Sequence, residues 1–281
     1  MSGVLVLCGS PIGNLSDMSQ RLMETLRTAD VVFAEDTRRS RILLDAAGAS
    51  VPMRSYFAGN EQARRAELIQ RLERGETVAL VTDAGMPAIS DPGLSAVRVA
   101  VEVGAQVTAI PGPSAATMAV ALSGLPSDRF VFEGFLPRKG SDRRHRLQAL
   151  AAEERTMVLF VAPSRLQADL EALAQALGVD RAAVVLRELT KMHEEIWRGS
   201  LGDGATEWAK RQAKGEFTLV IEGAQPAAPS LEEAIGIARN LIESGTSISD
   251  AARRTAEGTG VPRRLIYEQL LPKETIDEPD G

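Results

Sequence analysis

Residues 78–93 read VALVTDAGMPAISDPG, and this stretch decides the fold. Its first four residues are apolar, which is typical of a buried strand, and the loop that follows is rich in Gly and Pro. Residues 94–104 then show helical spacing. A buried strand that leads through such a loop into a helix is the repeating unit of a parallel sheet covered by helices.

The same order recurs on both sides of this stretch. In the N-terminal part, the pattern predicts strands at 4–8, 31–34, 78–82 and 106–110 and helices at 16–28, 61–74 and 94–104. A second group of strands is predicted at 129–135, 156–161, 183–186 and 217–222, mixed with helices. We therefore expect an N-terminal α/β domain over 1–115, a C-terminal α/β domain over 116–224, a linker over 225–230, a helical region over 231–271 and a disordered acidic tail over 272–281.

Composition excludes several classes of protein. The 281 residues are 44% hydrophobic and 25% charged, as in globular proteins, and no apolar run approaches the roughly 20 residues of a membrane helix. The single cysteine, Cys8, cannot form an intrachain disulfide, which predicts a reducing compartment, the cytoplasm. Two isolated histidines predict no metal site. The net charge of −6 argues against indiscriminate nucleic-acid binding but permits a local basic surface.

Three loops follow predicted strands and contain glycine and proline: residues 9–14 (GSPIGN), 82–93 and 110–116 (IPGPSAA). Ligands of parallel sheets bind outside the carboxyl ends of the strands, so we expect these loops to meet around a ligand, with Asp83 as the main polar contact. The alternative is that Asp83 and Asp91 only cap turns. The first loop matches neither a dinucleotide fingerprint nor a phosphate loop.

Two basic segments predict contact with a polyanion. Residues 137–146 read PRKGSDRRHR and residues 37–41 read TRRSR, and either segment can bind phosphates. The alternative is that both are solvated helix faces. The segment Glu188–Lys191 also puts a carboxylate and an amine at a strand end, where an exposed charge pair is an equally good interpretation.

Together these motifs resemble those of the tetrapyrrole methylase superfamily, and within it the members that methylate ribosomal RNA of the small subunit. The resemblance extends from the first strand to about residue 224 and is looser over 247–271. The residues that carry it are PIGNL (11–15), AEDTR (34–38), TDAG (82–85), ISDPG (89–93), PGPSAA (111–116), GLP (124–126), FEGFLPRK (132–139), ELTK (188–191) and GEF (215–217).

The resemblance implies a two-domain α/β fold of the class III S-adenosylmethionine methyltransferases plus a small C-terminal helical region, a homodimer, and S-adenosylmethionine bound between the domains. It also implies 2′-O-methylation of a cytidine ribose in the decoding region of 16S ribosomal RNA within the small subunit. The implied cofactor contacts are Pro11, Asp83, Ala84, Gly85, Met86, Ile89, Ser114, Ala115, Val161, Leu189 and Phe217. The implied RNA contacts are Arg39, Arg138, Lys139, Arg143 and Arg144. The chain departs from the family pattern at Met86 and over 160–165.

Methyl transfer to a ribose hydroxyl requires an aligned acceptor and a base. Residue type and strand-end location suggest Asp36 or Glu188 as the base, with Lys191 or Arg38 stabilising the oxyanion. One alternative is a methylase of a tetrapyrrole or of a modified protein side chain, for which the basic loop at Arg138 is not required. Another is a nucleic-acid-binding regulator built on residues 247–267, which fit a helix-turn-helix pattern.

Overall fold

The computed structural model describes residues 2–225 and 229–271. The chain divides into two compact units, Met1–Ala224 and Gln225–Gly281. Both predicted α/β domains fall within the first unit, and their boundary at residue 115 stays a prediction. The centre of the predicted linker, 226–228, and the predicted disordered tail, 272–281, lie outside the described residues.

The first sheet has five parallel strands in the order β3-β2-β4-β1-β5. Its elements are β1 (Val4–Cys8), α1 (Gln20–Thr28), β2 (Val31–Ala34), α2 (Thr37–Ala47), β3 (Met53–Ser55), α3 (Glu61–Glu73), β4 (Thr77–Val81), α4 (Leu94–Glu102) and β5 (Gln106–Ile110). Helices cover both faces, and a separate apolar core lies under each. The predicted parallel sheet is confirmed, and its strands end at one edge.

The second sheet is mixed, with the order β6-β7-β10-β8-β9. Its elements are α5 (Ala115–Ser123), β6 (Phe130–Phe135), α6 (Gly140–Ala151), β7 (Thr156–Val161), α7 (Leu166–Leu177), β8 (Ala182–Arg187), β9 (Glu195–Ser200), α8 (Leu201–Ala209) and β10 (Phe217–Ile221). Strands β6 and β7 are parallel, whereas β10 is antiparallel to β7 and β8, and β9 is antiparallel to β8. Helix α5 packs on β7 and β10.

Some elements depart from the sequence prediction. The helix expected over 16–28 is interrupted: a short 3-10 turn, Leu15–Asp17, is capped by Asn14, and α1 starts only after Ser19, whose hydroxyl accepts the Leu22 N–H at 3.1 Å. A second N-cap side chain inside the segment forces this break. Sequence reasoning also missed α2, β3, β9 and α8, because their polar residues mask the apolar spacing, whereas α11 falls within the helical region predicted over 231–271.

The described residues of the C-terminal unit form three helices, α9 (Leu231–Glu243), α10 (Ile248–Thr259) and α11 (Arg263–Leu270). Its small core is mainly alanine, which allows close helix approach: Ala234, Ala238, Ala251, Ala252 and Ile266. Gly260 ends α10 with φ 74°. Within the part of the chain that the structure describes, no helix has the length and apolar character needed to cross a membrane.

Candidate functional site

The loops after β1, β4 and β5 meet at one edge of the first sheet, as the sequence predicts. The Gly9 N–H donates to the Ile110 carbonyl at 2.9 Å. Ser10 and Gly85 exchange two backbone hydrogen bonds, of 2.8 and 3.1 Å. The three loops are therefore fixed to each other through their backbones, which makes this edge a rigid platform.

Two glycines permit this contact. A Cβ atom on Gly112 would lie 2.5 Å from the Gly9 carbonyl oxygen, and one on Gly9 would lie 2.6 Å from the Gly112 nitrogen. No side chain fits at either position without moving the backbone.

We expect Gly112→Ala to lower the free energy of unfolding by about 1–3 kcal/mol, because the added methyl group forces the two loops apart. Denaturant unfolding followed by circular dichroism measures this. Gly236→Ala is the control: Gly236 lies in α9 with open space around it, and alanine there should stabilise by about 0.5–1 kcal/mol. Unchanged stability of Gly112→Ala would contradict the contact.

A cleft of about 450 Å³ opens beside these loops, and we call it the cleft below. It lies between the loop edge of the first sheet and the ends of β6, β7, β8 and β10. Its lining comprises Ile12, Glu35, Arg39, Asp83, Ala84, Gly85, Met86, Ile89, Ser90, Asp91, Ser114, Ala115, Ala116, Phe135, Phe160, Val161, Ala162, Pro163, Leu186, Leu189, Glu216, Phe217 and Thr218. Every predicted cofactor contact lies here except Pro11, which lines an adjoining pocket of about 320 Å³.

Carboxylates dominate the polar wall of the cleft. The Asp83 carboxylate accepts the Asp36 N–H at 3.2 Å and pairs with Arg39 at 3.1 Å, while the Asp83 N–H donates to Glu35 at 3.2 Å. Burial raises the pKa of Glu35, and the Asp83 carboxylate adds to this against an opposing backbone hydrogen bond. Glu35 and Asp83 are thus held in a network that joins the ends of β2 and β4.

Asp91 differs from Glu35 and Asp83, the cleft carboxylates of the polar network. Among the described residues, its side chain has no hydrogen bond and no ion pair, and it caps no turn. Burial, together with the charges of Glu35 and Asp83, raises the pKa of Asp91 to about 7. The carboxyl group therefore titrates near neutrality, as a proton acceptor requires.

Two strained loops border the cleft. Ala88 and Ser90 have φ of 69° and 62°, and Glu188 and Thr190 have φ of 51° and 68°. They are the non-glycine residues with positive φ in the described part of the chain. Each such residue costs about 1–3 kcal/mol, so the surrounding structure holds these loops in shape.

The predicted catalytic pair Asp36 and Arg38 lies outside the cleft lining. Their side chains form an ion pair of 2.8 Å, and Arg38 is largely exposed. Hydrogen bonds from the Arg38 side chain and backbone lower the pKa of Asp36 to about 2. A carboxylate with such a low pKa is a weak base.

Glu188 and Lys191 also form an ion pair. The Lys191 Nζ donates to Glu188 at 2.8 Å and to Glu216 at 3.0 Å, and its stem packs over Gly13 beside the adjoining pocket. Burial raises the pKa of Glu188, but hydrogen bonds from Lys191 and the Glu216 N–H outweigh this effect, so the net pKa is below its ordinary value.

The basic segment 137–146 has two kinds of arginine. Arg143 is mostly buried, lies 2.8 Å from the Asp169 carboxylate and donates to the Pro137 carbonyl at 3.2 Å; Arg146 pairs with Glu133. The Arg143 guanidinium is therefore engaged within the fold, and its contact with RNA stays a prediction. Arg138, Lys139 and Arg144 are exposed and have no ion pair among the described residues.

The structure adds residues that sequence reasoning missed. Glu35, Asp91, Phe135 and Phe160 all line the cleft. Glu35 and Asp91 had a signal, since each lies in a polar segment after a buried strand: Glu35 is next to Asp36, and Asp91 is in the same loop as Asp83. Phe135 had none, because its ring follows the apolar alternation of a strand.

A family model of tetrapyrrole (corrin/porphyrin) methylases matches residues 4–205, which is most of the chain. The chain belongs to this family. The tetrapyrrole methylase resemblance predicted from the motifs is confirmed.

Two relatives with the same name are similar to this chain over most of its length. A Synechocystis protein named ribosomal RNA small subunit methyltransferase I is 46% identical over 275 residues, 97% of this chain and 99% of the relative. A Thermotoga maritima protein of the same name is 43% identical over 221 residues, which make up 79% of this chain and 99% of the relative. About a fifth of this chain thus has no counterpart in the second relative.

Solved structures support the fold. A uroporphyrin-III C-methyl transferase from Thermus thermophilus, complexed with S-adenyl homocysteine, superimposes with a TM-score of 0.56 at 16% identity, over 78% of this chain and 97% of that chain. At this identity the likeness shows the fold alone. The predicted α/β tetrapyrrole methylase architecture is confirmed.

Proposed function

We propose that the chain transfers a methyl group from S-adenosylmethionine to the 2′ oxygen of a cytidine ribose in the decoding region of 16S ribosomal RNA. The observation that carries the proposal is the nearly full-length similarity to proteins named ribosomal RNA small subunit methyltransferase I. The choice of a cytidine 2′ oxygen as the acceptor atom rests on the motif resemblance.

S-adenosylmethionine is the methyl donor, and the residues of the cleft fit it. The volume of about 450 Å³ is in the usual range for a small-molecule site, and the three loops bring exposed backbone close to a ligand. Apolar residues such as Val161 and Phe217 suit the adenine, while Glu35, Asp83 and Asp91 give the negative field that favours a cation. When bound, the donor supplies a methyl group on a positively charged sulfur. The predicted contacts Asp83, Ala84, Gly85, Met86, Ile89, Ser114, Ala115, Val161, Leu189 and Phe217 would hold it.

We assign the proton acceptor to Asp91 rather than to Asp36 or Glu188. A 2′-hydroxyl loses its proton as the new C–O bond forms, so the base must be free and lie in the cleft. Asp91 lies in the cleft without a partner among the described residues, whereas Asp36 and Glu188 are bound by Arg38 and Lys191. Lys191 remains a candidate for stabilising the oxyanion, since it lies beside the adjoining pocket.

The RNA surface that we propose comprises Arg39, Arg138, Lys139 and Arg144. Arg39 lines the cleft, and the other three are exposed on and before α6. Their charges can contact phosphates in a chain whose net charge is −6. From the family resemblance and the lone cysteine, we also propose a homodimer in the cytoplasm.

Labelled methyl transfer to purified small ribosomal subunits tests the proposal. We expect label in 16S ribosomal RNA at one cytidine, and that position should resist alkaline cleavage because a 2′-O-methyl ribose cannot attack its phosphate. Alkaline cleavage at the labelled nucleotide would point to base methylation, and unlabelled RNA would contradict the proposal. A porphyrinoid acceptor, assayed in parallel, tests the tetrapyrrole alternative.

A nucleic-acid-binding regulator is the less favoured alternative. The Thermotoga maritima relative keeps the same name although a fifth of this chain, an amount comparable to Gln225–Gly281, has no counterpart in it. We expect a chain ending at residue 225 to retain the affinity for S-adenosylhomocysteine, measured by calorimetry. Loss of that affinity would contradict an independent cofactor site.

A further inference from the structure

Three phenylalanines form a continuous row beside the cleft. The Phe132 and Phe160 ring centroids are 4.9 Å apart with planes at 69°, and those of Phe160 and Phe135 are 5.7 Å apart at 60°. These are edge-to-face contacts, which are attractive and fix ring orientation. Phe132 and Phe160 are partly buried, while Phe135 is 59% exposed.

The row concentrates aromatic residues, which are scarce in this chain. Only 4% of its residues are aromatic, with seven phenylalanines in total, and three of these lie in the row. Phe135 and Phe160 also line the cleft, so the exposed ring belongs to its mouth. An exposed apolar group that lines a cavity indicates a ligand that covers it.

Two positively charged residues follow Phe135 in the sequence. Arg138 and Lys139 come three and four residues after Phe135, are exposed and have no ion pair among the described residues. The loop that carries them is held at the Pro137 carbonyl by Arg143, which Asp169 fixes in turn. A ring and two cations on one ordered segment match a single nucleotide, which offers a flat base and flanking phosphates.

We propose that Phe135 is the stacking platform for the base of the acceptor nucleotide, with Arg138 and Lys139 on the adjacent phosphates. This inference rests on the proposed function and adds the contact that recognises the substrate. Stacking on Phe135 holds the base outside the cleft while the ribose of the same nucleotide enters it. The acceptor must therefore be unstacked from its RNA neighbours when it binds.

The test compares Phe135→Ala, Phe135→Tyr and Phe130→Ala with the wild-type chain. Phe130 is 37% exposed at the opposite end of the same strand and does not line the cleft, so Phe130→Ala is the matched control. With small ribosomal subunits as acceptor, Phe135→Ala should lower kcat/KM about 5- to 150-fold, mainly through KM. Phe135→Tyr and Phe130→Ala should stay close to wild type.

Two further measurements test whether the Phe135 ring instead contacts the cofactor or a second subunit. Calorimetry with S-adenosylhomocysteine should give the same Kd for Phe135→Ala and wild type, and a weakened Kd would assign the ring to the cofactor and overturn the proposal. Gel filtration should give the same size, and a smaller particle would assign the ring to a subunit contact. If Phe135→Ala methylated RNA as well as wild type, the stacking proposal would be wrong but the proposed function would stand. If the wild-type chain left RNA unlabelled, the proposed function would be wrong as well.

Discussion

Asp91→Asn is expected to lower kcat for methyl transfer by about 100- to 10,000-fold, the range for loss of a general base. Asparagine keeps the size and shape of the side chain but cannot accept the hydroxyl proton. Binding of S-adenosylhomocysteine, measured by calorimetry, should change little, because the product carries no charge on sulfur. Asp36→Asn is the matched control, since Asp36 lies outside the cleft lining and is paired with Arg38.

The pH dependence should identify the same group. A base acts in its ionised form, so the wild-type rate should rise with pH through about 7 and level off above it, following the raised pKa of Asp91. Glu35→Gln removes one neighbouring negative charge and should move the midpoint to lower pH. Arg39, which faces the same wall, is paired with Asp83. If Asp91→Asn kept the wild-type pH profile, the assignment of Asp91 would be wrong.

Thermal stability provides an independent readout for Asp91→Asn. The folded-state pKa of Asp91 is above its unfolded value near 4, so the ionised carboxylate destabilises the fold, and wild-type stability should fall as pH rises from about 4 to 7. Asp91→Asn should therefore have a higher Tm than wild type at pH 8 and a similar Tm at pH 4. An inactive variant with lowered Tm at pH 8 would indicate a structural defect instead.

The sequence predicts the main-chain part of the site well. Strand-end loops with glycine and proline identify Asp83, Ser114 and their neighbours, because parallel strands place these ends at one edge. The close approach of Gly9 and Gly112 follows from the same residue types. Periodicity and turn chemistry are local properties, and they were sufficient for this half of the cleft.

The side-chain chemistry depends on contacts that are remote in the chain. Arg143 looks like any other arginine of the basic segment, and only the fold brings it against Asp169, 26 residues away. The pKa of Asp91 is raised first by burial and then by the charges of Glu35, at the end of β2, and of Asp83, in the same loop as Asp91. Charge state is set by tertiary neighbours, so sequence pattern could not rank these groups.

Asp169→Ala should lower the free energy of unfolding by about 3–5 kcal/mol, the range for breaking a buried ion pair. Asp169 is 4% exposed and lies 2.8 Å from Arg143 and 3.1 Å from Arg165. Removing its carboxylate leaves the mostly buried Arg143 guanidinium without a counter-charge. Denaturant unfolding measures the loss. Glu102→Gln, which breaks a more exposed pair with Arg65, is the control and should cost less than about 1 kcal/mol.

A second substitution at Asp169 links the fold to substrate binding. Arg143 holds the Pro137 carbonyl only while Asp169 fixes the guanidinium, so the loop with Arg138 and Lys139 should lose order in Asp169→Asn, the milder substitution. At a temperature where this variant stays folded, KM for the small subunit should rise, and the Kd for S-adenosylhomocysteine should not. Since phosphate contacts add ionic-strength dependence, methylation by the variant should also become less sensitive to salt. Unchanged KM and unchanged salt dependence would show that the loop does not need Arg143 to bind RNA.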